Sequence, residues 1–231
     1  MPFPRQAGSF YHWSKVHDSN NTMFACKVWG LRATDVMQGI VFGTRYEGMS
    51  EDPRLKTRFD FDQCFGTVIN RFCAQAIIDH PLTLYGAGRQ RRGFLPLGDV
   101  MACLQLLIEN PPAPGEYLVV NQFDRCYTVQ EVAALVQQAG SNLGLAVRIQ
   151  NIENPRIEKE SHYYNPDREI LMSLGYQPST NIIGDVENIL KDLSGFSRRI
   201  YEKRNMLIPD IRWDTERRRS EVLSHAGDQP T

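Results

Sequence analysis

No apolar run in the 231 residues approaches the length a helix needs to cross a bilayer, and Met1-Pro2-Phe3-Pro4 does not open a signal peptide. No two cysteines stand as Cys-x-x-Cys. The five, Cys26, Cys64, Cys73, Cys103 and Cys126, are scattered and odd in number. They read as reduced thiols in a cytosol-like compartment, not as a disulfide frame or a zinc site. Charge imbalance is also missing: the formal net charge is -1, which gives no general pull toward nucleic acid or an anionic membrane. There is no internal repeat. Gly-x-x-Gly-x-x-Gly occurs nowhere, so the turn that opens a complete doubly wound dinucleotide-binding domain is not written here. What remains is ordinary: 42% hydrophobic and 23% charged residues, a globular composition with chain enough for one large or two small domains.

The most informative stretch lies near the start, Ser9-Phe10-Tyr11-His12-Trp13-Ser14-Lys15. It contains no Gly or Pro, and apolar residues recur three and four positions apart as far as Trp29. The spacing predicts one helix from about Phe10 to Trp29, with Ser9 as its cap and Trp13, Val16 and Phe24 as its buried stripe. Tyr11 and Lys15 are then i and i+4 neighbours on one face. A fixed ammonium beside a phenol favours the phenolate. Bringing a phenol from its usual pKa down by about 3 units takes roughly 4 kcal/mol of differential interaction, and makes it a general base near neutrality. The same spacing also occurs on solvated helix faces.

Further on, Leu31 to Val36 reads as a strand. Gln38-Gly39-Ile40-Val41-Phe42-Gly43 follows as a loop bracketed by two glycines at its carboxyl end, where open α/β sheets put ligands. Asp62 is placed to cap a helix whose apolar face is Phe65, Val68, Ile69, Phe72, Cys73, Ala76 and Ile77. Leu82-Thr83-Leu84-Tyr85 is a short strand ending in the turn Gly86-Ala87-Gly88, and Arg91 to Leu95 is another. A helix from Asp99 past Leu107 precedes the strand Tyr117 to Val120. Thr128-Val129-Gln130-Glu131 has capping-box spacing and opens a helix to about Gln138. Ala146 to Ile149 reads as a last strand, with helices near Asp167 to Leu174 and Ile183 to Lys203. The arginine run Arg217-Arg218-Arg219 belongs to a tail.

This alternation predicts an α/β protein: the second half of a Rossmann-type doubly wound parallel sheet plus a smaller mixed α/β substrate-binding domain. The expected division is 1–69 for the sheet part, 70–211 mainly for the binding segment with elements that interleave with the sheet, and 212–231 for the tail. Without the glycine-rich turn, the chain reads either as part of a longer gene product or as a truncated relative without full activity.

Taken with Gln38 to Gly43, Phe65-Gly66-Thr67-Val68-Ile69-Asn70-Arg71-Phe72-Cys73, Asn121-Gln122-Phe123, Asn154-Pro155-Arg156-Ile157-Glu158 and His162-Tyr163-Tyr164-Asn165, the Tyr11–Lys15 stretch resembles the UDP-sulfoquinovose synthases of sulfolipid biosynthesis. They are extended short-chain dehydrogenase/reductases of the NAD-dependent epimerase/dehydratase family. The resemblance runs from Met1 to about Ile211. It implies that Tyr11, Lys15, Gln38 and Val41 meet NAD, and that Thr67, Asn70, Thr83, Tyr85, Arg92, Arg156, His162 and Tyr163 hold a UDP-sugar. Arg92-Gly93-Phe94-Leu95 is similar to the family strand that closes over the diphosphate, a role that suits a planar guanidinium. Arg91 beside it is the alternative ligand. Tyr85 stands where the family stacks an aromatic on uracil, or is simply packed; Arg156 matches a second diphosphate arginine, or pairs with Glu158 or Glu160.

The implied reaction joins UDP-glucose and sulfite. Tyr11 takes the 4-hydroxyl proton while hydride passes from C4 to NAD, water is lost across C5–C6, sulfite adds at C6, and hydride returns to C4. His12 either assists the elimination or makes one structural hydrogen bond. A homodimer through the Tyr11 helix, and a cytoplasmic or plastid-stroma location, are implied as well. The rivals are another nucleotide-sugar 4-epimerase or 4,6-dehydratase, and a truncated, non-catalytic UDP-sugar-binding module.

Overall fold

The computed structural model describes residues 10–46, 48, 49, 52, 54, 58–63, 65–154, 166–178 and 181–208. The described chain is α/β and divides into two compact units, one of residues 1–38, 101–122 and 166–177, the other of residues 39–100, 123–165 and 178–231. Among the described residues no helix is long and apolar enough to cross a membrane.

The first unit opens with helix α1, Phe10–Trp29, whose bounds are those the periodicity predicts. Its packing is not. Trp13 and Phe24 are 40% and 59% exposed, and the residues that turn inward are Ser19 and Cys26. Small side chains let the helix approach the sheet closely, so the buried stripe follows size rather than hydrophobicity. The helix packs on β1 (Ala33–Gln38) and β5 (Tyr117–Gln122), a parallel pair in register from Ala33 opposite Tyr117 to Gln38 opposite Gln122. Asp35 ties all three elements. Its Oδ2 accepts from Ser19 Oγ at 2.6 Å and also from the Tyr117 hydroxyl. Cys103, Leu107, Val120, Leu171 and Tyr176 form the core of this unit, drawn from β5, from α3 (Leu97–Glu109) and from the short helix α5 (Glu169–Ser173) and its exit.

The second unit holds β2 (Ile40–Phe42), β4 (Arg91–Pro96) and β6 (Arg125–Thr128), with β2 and β4 parallel and β4 and β6 antiparallel. The expected loop at Ile40 to Phe42 is thus a strand, because β4 supplies the pairing that local sequence cannot show. β6 has no counterpart in the sequence reading for the same reason. A second ladder pairs β3 (Leu82–Tyr85) in parallel with β7 (Ile149–Ile152). β7 lies three residues beyond the expected Ala146–Ile149, in register with β3 rather than on the locally apolar run. Against these strands lie α2 (Val68–Ile77), α4 (Val129–Asn142), α6 (Ile182–Ser194) and α7 (Ser197–Glu202). One continuous helix to Lys203 is not formed: Gly195 and Phe196 separate α6 from α7. The core runs through Ile69, Phe72, Leu84, Phe94, Val132, Val136, Val186 and Ile189.

Side-chain caps set where α2 and α4 begin. Thr67, not Asp62, caps α2, its hydroxyl accepting from the Asn70 N–H, while Asp62 caps a separate turn by accepting from the Phe65 N–H at 2.9 Å. Phe65 is therefore outside the helix and 72% exposed rather than on its apolar face. At α4 the Thr128–Glu131 capping box forms in both directions. The expected cap Ser9 lies outside the described residues, as do Cys64, the tail, and Arg156, His162 and Tyr163.

Candidate functional site

In the first unit, α1 carries Tyr11, His12 and Lys15 on its exposed first turns. The Lys15 ammonium lies 5.7 Å from the centroid of the Tyr11 ring, as the i, i+4 spacing dictates. It also pairs loosely with Asp18 at 3.5 Å. The His12 ring meets Tyr11 edge-on, centroids 5.6 Å apart. Gln38 stands at the carboxyl end of β1, where its amide donates to Gln122 Oε1 at 2.7 Å. The phenol is exposed and has a cation one turn away. Proton transfer is the chemistry the sequence assigns to it.

In the second unit, β2 carries Val41 opposite Leu95. A cleft of about 250 Å³ in this unit gathers Thr67, Tyr85 and Arg92, three residues that the sequence singles out. Strand geometry decides between the two adjacent arginines. Neighbours on a strand point to opposite faces; Arg92 lines the cleft, whereas Arg91 is exposed and its Nη2 donates to the Cys126 carbonyl at 3.0 Å. Arg92 Nη1 donates to the Arg91 carbonyl at 2.8 Å. Asn70 and Thr83 do not line the cleft. The Asn70 amide donates to the Asp60 carbonyl at 3.0 Å. Thr83 is buried and held by Gln75, which donates to its hydroxyl at 2.8 Å and accepts from its N–H at 3.1 Å.

The cleft also contains residues that sequence reasoning did not single out. Arg71 stacks on Tyr85, its guanidinium carbon 4.1 Å from the ring centroid, while Nη2 donates to the Thr83 carbonyl at 2.9 Å. Its place four residues after Thr67 on one face of α2 was the available signal. Gln90, two residues before Arg92 and so on the same side of an extended chain, lines the cleft too, as does Asn154. Among the described residues no group of three or more metal-ligating side chains is placed to hold a metal ion. A larger hollow in the same unit, about 530 Å³, is lined by residues such as Phe59, Phe61 and Phe196 and by none of the ligand-binding or catalytic candidates read from sequence.

For a dinucleotide the fit is partial. Tyr11, Lys15 and Gln38 offer hydroxyl, ammonium and amide groups suited to a nicotinamide ribose. A pyrophosphate needs a strand, a glycine-rich turn and a helix N-terminus in that order. The glycine turn Gly86–Gly88 leads instead into β4, so the described elements contain no such cradle.

No protein-family model matches the chain. Among solved structures, the UDP-glucuronic acid 4-epimerase from Bacillus cereus in complex with UDP-glucuronic acid and NAD aligns at a TM-score of 0.65. It is 17% identical, over 85% of this chain and 55% of that one. The fold is that of the Rossmann-type sugar-nucleotide epimerases and dehydratases. By sequence the chain is more narrowly similar to the UDP-sulfoquinovose synthases. It is 49% identical to the UDP-sulfoquinovose synthase of Sulfolobus acidocaldarius over 210 residues, 91% of this chain and 53% of that protein. It is 45% identical to the chloroplastic UDP-sulfoquinovose synthase of Spinacia oleracea over 213 residues, 92% of this chain and 44% of that one. The chain spans about half the length of the curated relatives it matches.

Proposed function

We propose that the chain carries the acid–base pair and the UDP-sugar cleft of an enzyme that makes UDP-sulfoquinovose from UDP-glucose and sulfite. The observation that carries this reading is the 49% identity over 210 residues to a UDP-sulfoquinovose synthase. In this reading Tyr11 removes the proton of the sugar 4-hydroxyl, with the Lys15 ammonium one turn away. NAD, when bound, would supply reversible hydride transfer at C4, the hydride taken there at the start returning once sulfite has added. Lys15, Gln38 and Val41 receive the nicotinamide end. The ketone formed at C4 acidifies C5, His12 assists the loss of water across C5–C6, and sulfite adds at C6. The 250 Å³ cleft holds the nucleotide: Tyr85 stacks the base and Arg92 binds the diphosphate. Arg156, His162 and Tyr163 are assigned to the same ligand.

The test joins the chain to the stretch of the Sulfolobus acidocaldarius relative that it does not match, and analyses products from UDP-glucose with and without sulfite. A sulfonated UDP-sugar that forms only with sulfite is expected. UDP-galactose made regardless of sulfite would overturn the reading in favour of a 4-epimerase.

Two finer parts of the reading concern assembly and place. The exposed apolar side chains of α1, among them Trp13, Phe24 and Trp29, support a homodimer through that helix, which sedimentation would detect. The chloroplastic Spinacia oleracea relative supports the plastid stroma for a photosynthetic eukaryote, the cytoplasm being the alternative.

A further inference from the structure

The 530 Å³ hollow is lined by the stretch that follows β2 and by α6, α7 and the turn after them, and the chemistry proposed above makes no use of it. Its size is that of small-molecule sites, which run from about 300 to 1,000 Å³ and set a few polar groups on an apolar lining. Leu193 and Ile200 in its wall are buried, while Phe196 and Met206 leave 49% and 40% of their surface to solvent. Polar ties fasten the wall. Asp192 on α6 accepts from the Thr44 hydroxyl at 2.7 Å and from Arg45 Nε at 2.8 Å, which pins the stretch after β2 to that helix. Arg58 pairs with Asp60 at 2.7 Å, and Asp62 accepts from the Phe65 N–H. Two lining cations are left over, Arg199 and Lys203. They stand four residues apart, both exposed, and neither side chain has a hydrogen bond or ion pair among the described residues. An exposed cation is ordinarily just solvated, and like charges one turn apart repel. Here both line the same apolar hollow.

We infer that this hollow is a second binding site, one that takes a small, soluble amphipathic anion: an apolar body against Phe59, Phe196 and Ile200, and an acidic head on Arg199 and Lys203. A carboxylate, sulfate or phosphate head accepts from the guanidinium fork and from the ammonium, and its charge offsets their mutual repulsion. Burial of the apolar body supplies the rest of the binding. A neutral molecule of the same shape leaves both cations unmatched. A bare anion leaves the apolar wall wet. Asp62 lines both this hollow and the nucleotide cleft, so the two are neighbours, but no other described residue is common to them. The site is therefore separate from the one that the UDP-sugar reading uses, and does not depend on that reading.

The experiment titrates octanoate calorimetrically into the 231-residue chain, beside octan-1-ol, which has the body without the charge, and acetate, which has the charge without the body. Octanoate should bind saturably at one site, octan-1-ol about tenfold more weakly, and acetate not measurably. Arg199→Gln with Lys203→Gln should bring octanoate down to the level of octan-1-ol, while Phe196→Ser should weaken both. Arg198→Gln with Arg204→Gln is the control. It removes two charges from the same stretch, but Arg198 pairs with Glu202 at 3.0 Å, Arg204 donates to the Tyr201 carbonyl, and neither lines the hollow. All five positions are exposed, and melting curves check that each variant is folded. No saturable binding of octanoate overturns the inference, as does equal binding of octanoate and octan-1-ol, or an equal loss in the two charge variants. Octanoate that binds only after Trp213→Ser would give the hollow to the chain's own tail and overturn it as well. Displacement of octanoate by UDP would make the hollow part of the nucleotide cleft, with the same consequence. If UDP does not bind and octanoate does, the UDP-sugar reading falls and this one stands.

Discussion

Tyr11 illustrates what a single residue can and cannot reveal. Its spacing to Lys15 is local, so four residues of sequence place the ammonium 5.7 Å from the ring once a helix forms. The reaction proposed for it depends on a bound sugar. Tyr11→Phe, in the chain joined to its relative's unmatched stretch, should abolish turnover while UDP-glucose affinity stays within about twofold, because the phenol acts on the reacting hydroxyl and the nucleotide supplies most of the binding. Wild-type turnover by the variant would remove Tyr11 from the chemistry. Arg92 and Arg91 make the complementary case. Sequence leaves the two open, and the strand's alternation resolves which one faces the cleft. Arg92→Ala should weaken UDP by about 1.5–3 kcal/mol, the worth of charged hydrogen bonds, while Arg91→Ala should leave it nearly unchanged. Equal losses in the two variants would show that the cleft does not discriminate between them. Arg71 and Gln90 escape sequence reasoning because each is defined by what folding brings beside it: Tyr85 for one, the cleft for the other.

At the scale of elements, what was legible was local. The bounds of α1, the strand β3 and the Thr128–Glu131 box depend on periodicity and capping within a few residues. The three-residue β2 and the four-residue β6 exist only because β4 lies between them, so no window of sequence could reveal either. Nor does sequence show that carboxylates from two helices and a turn act on one another. Asp185 opens α6, and its pKa is pushed up to about 6, first by burial and then by the nearby carboxylates of Asp99 and Asp124. A carboxyl whose folded pKa is raised binds its proton more tightly in the folded state. Its contribution therefore favours folding at low pH and is lost as pH rises from about 4 through 6. Asp185→Asn, neutral throughout, should melt higher than the unmodified chain at pH 7.5 and approach it as pH falls to 4. A difference in melting temperature that stays constant across that range would refute the burial and repulsion account.

The whole molecule combines two compact units whose residues interleave along the chain. Residues 1–38 join 101–122 and 166–177 in one unit, because parallel β1 and β5 pair across almost eighty residues of intervening chain. The α/β class was readable from alternating strands and helices, and the epimerase-like fold agrees with it. The proposed function gives the cleft the UDP-sugar and the Tyr11–Lys15 pair the proton transfer. Nowhere does it write the glycine-rich turn that grips a dinucleotide pyrophosphate. These statements meet in one measurement, the calorimetric titration of UDP-glucose and, separately, of NAD into the 231-residue chain. Saturable binding of UDP-glucose that is weakened in Arg92→Ala, with no measurable heat from NAD, is the expected result. Micromolar binding of NAD together with indifference to UDP-glucose would contradict the account at its centre.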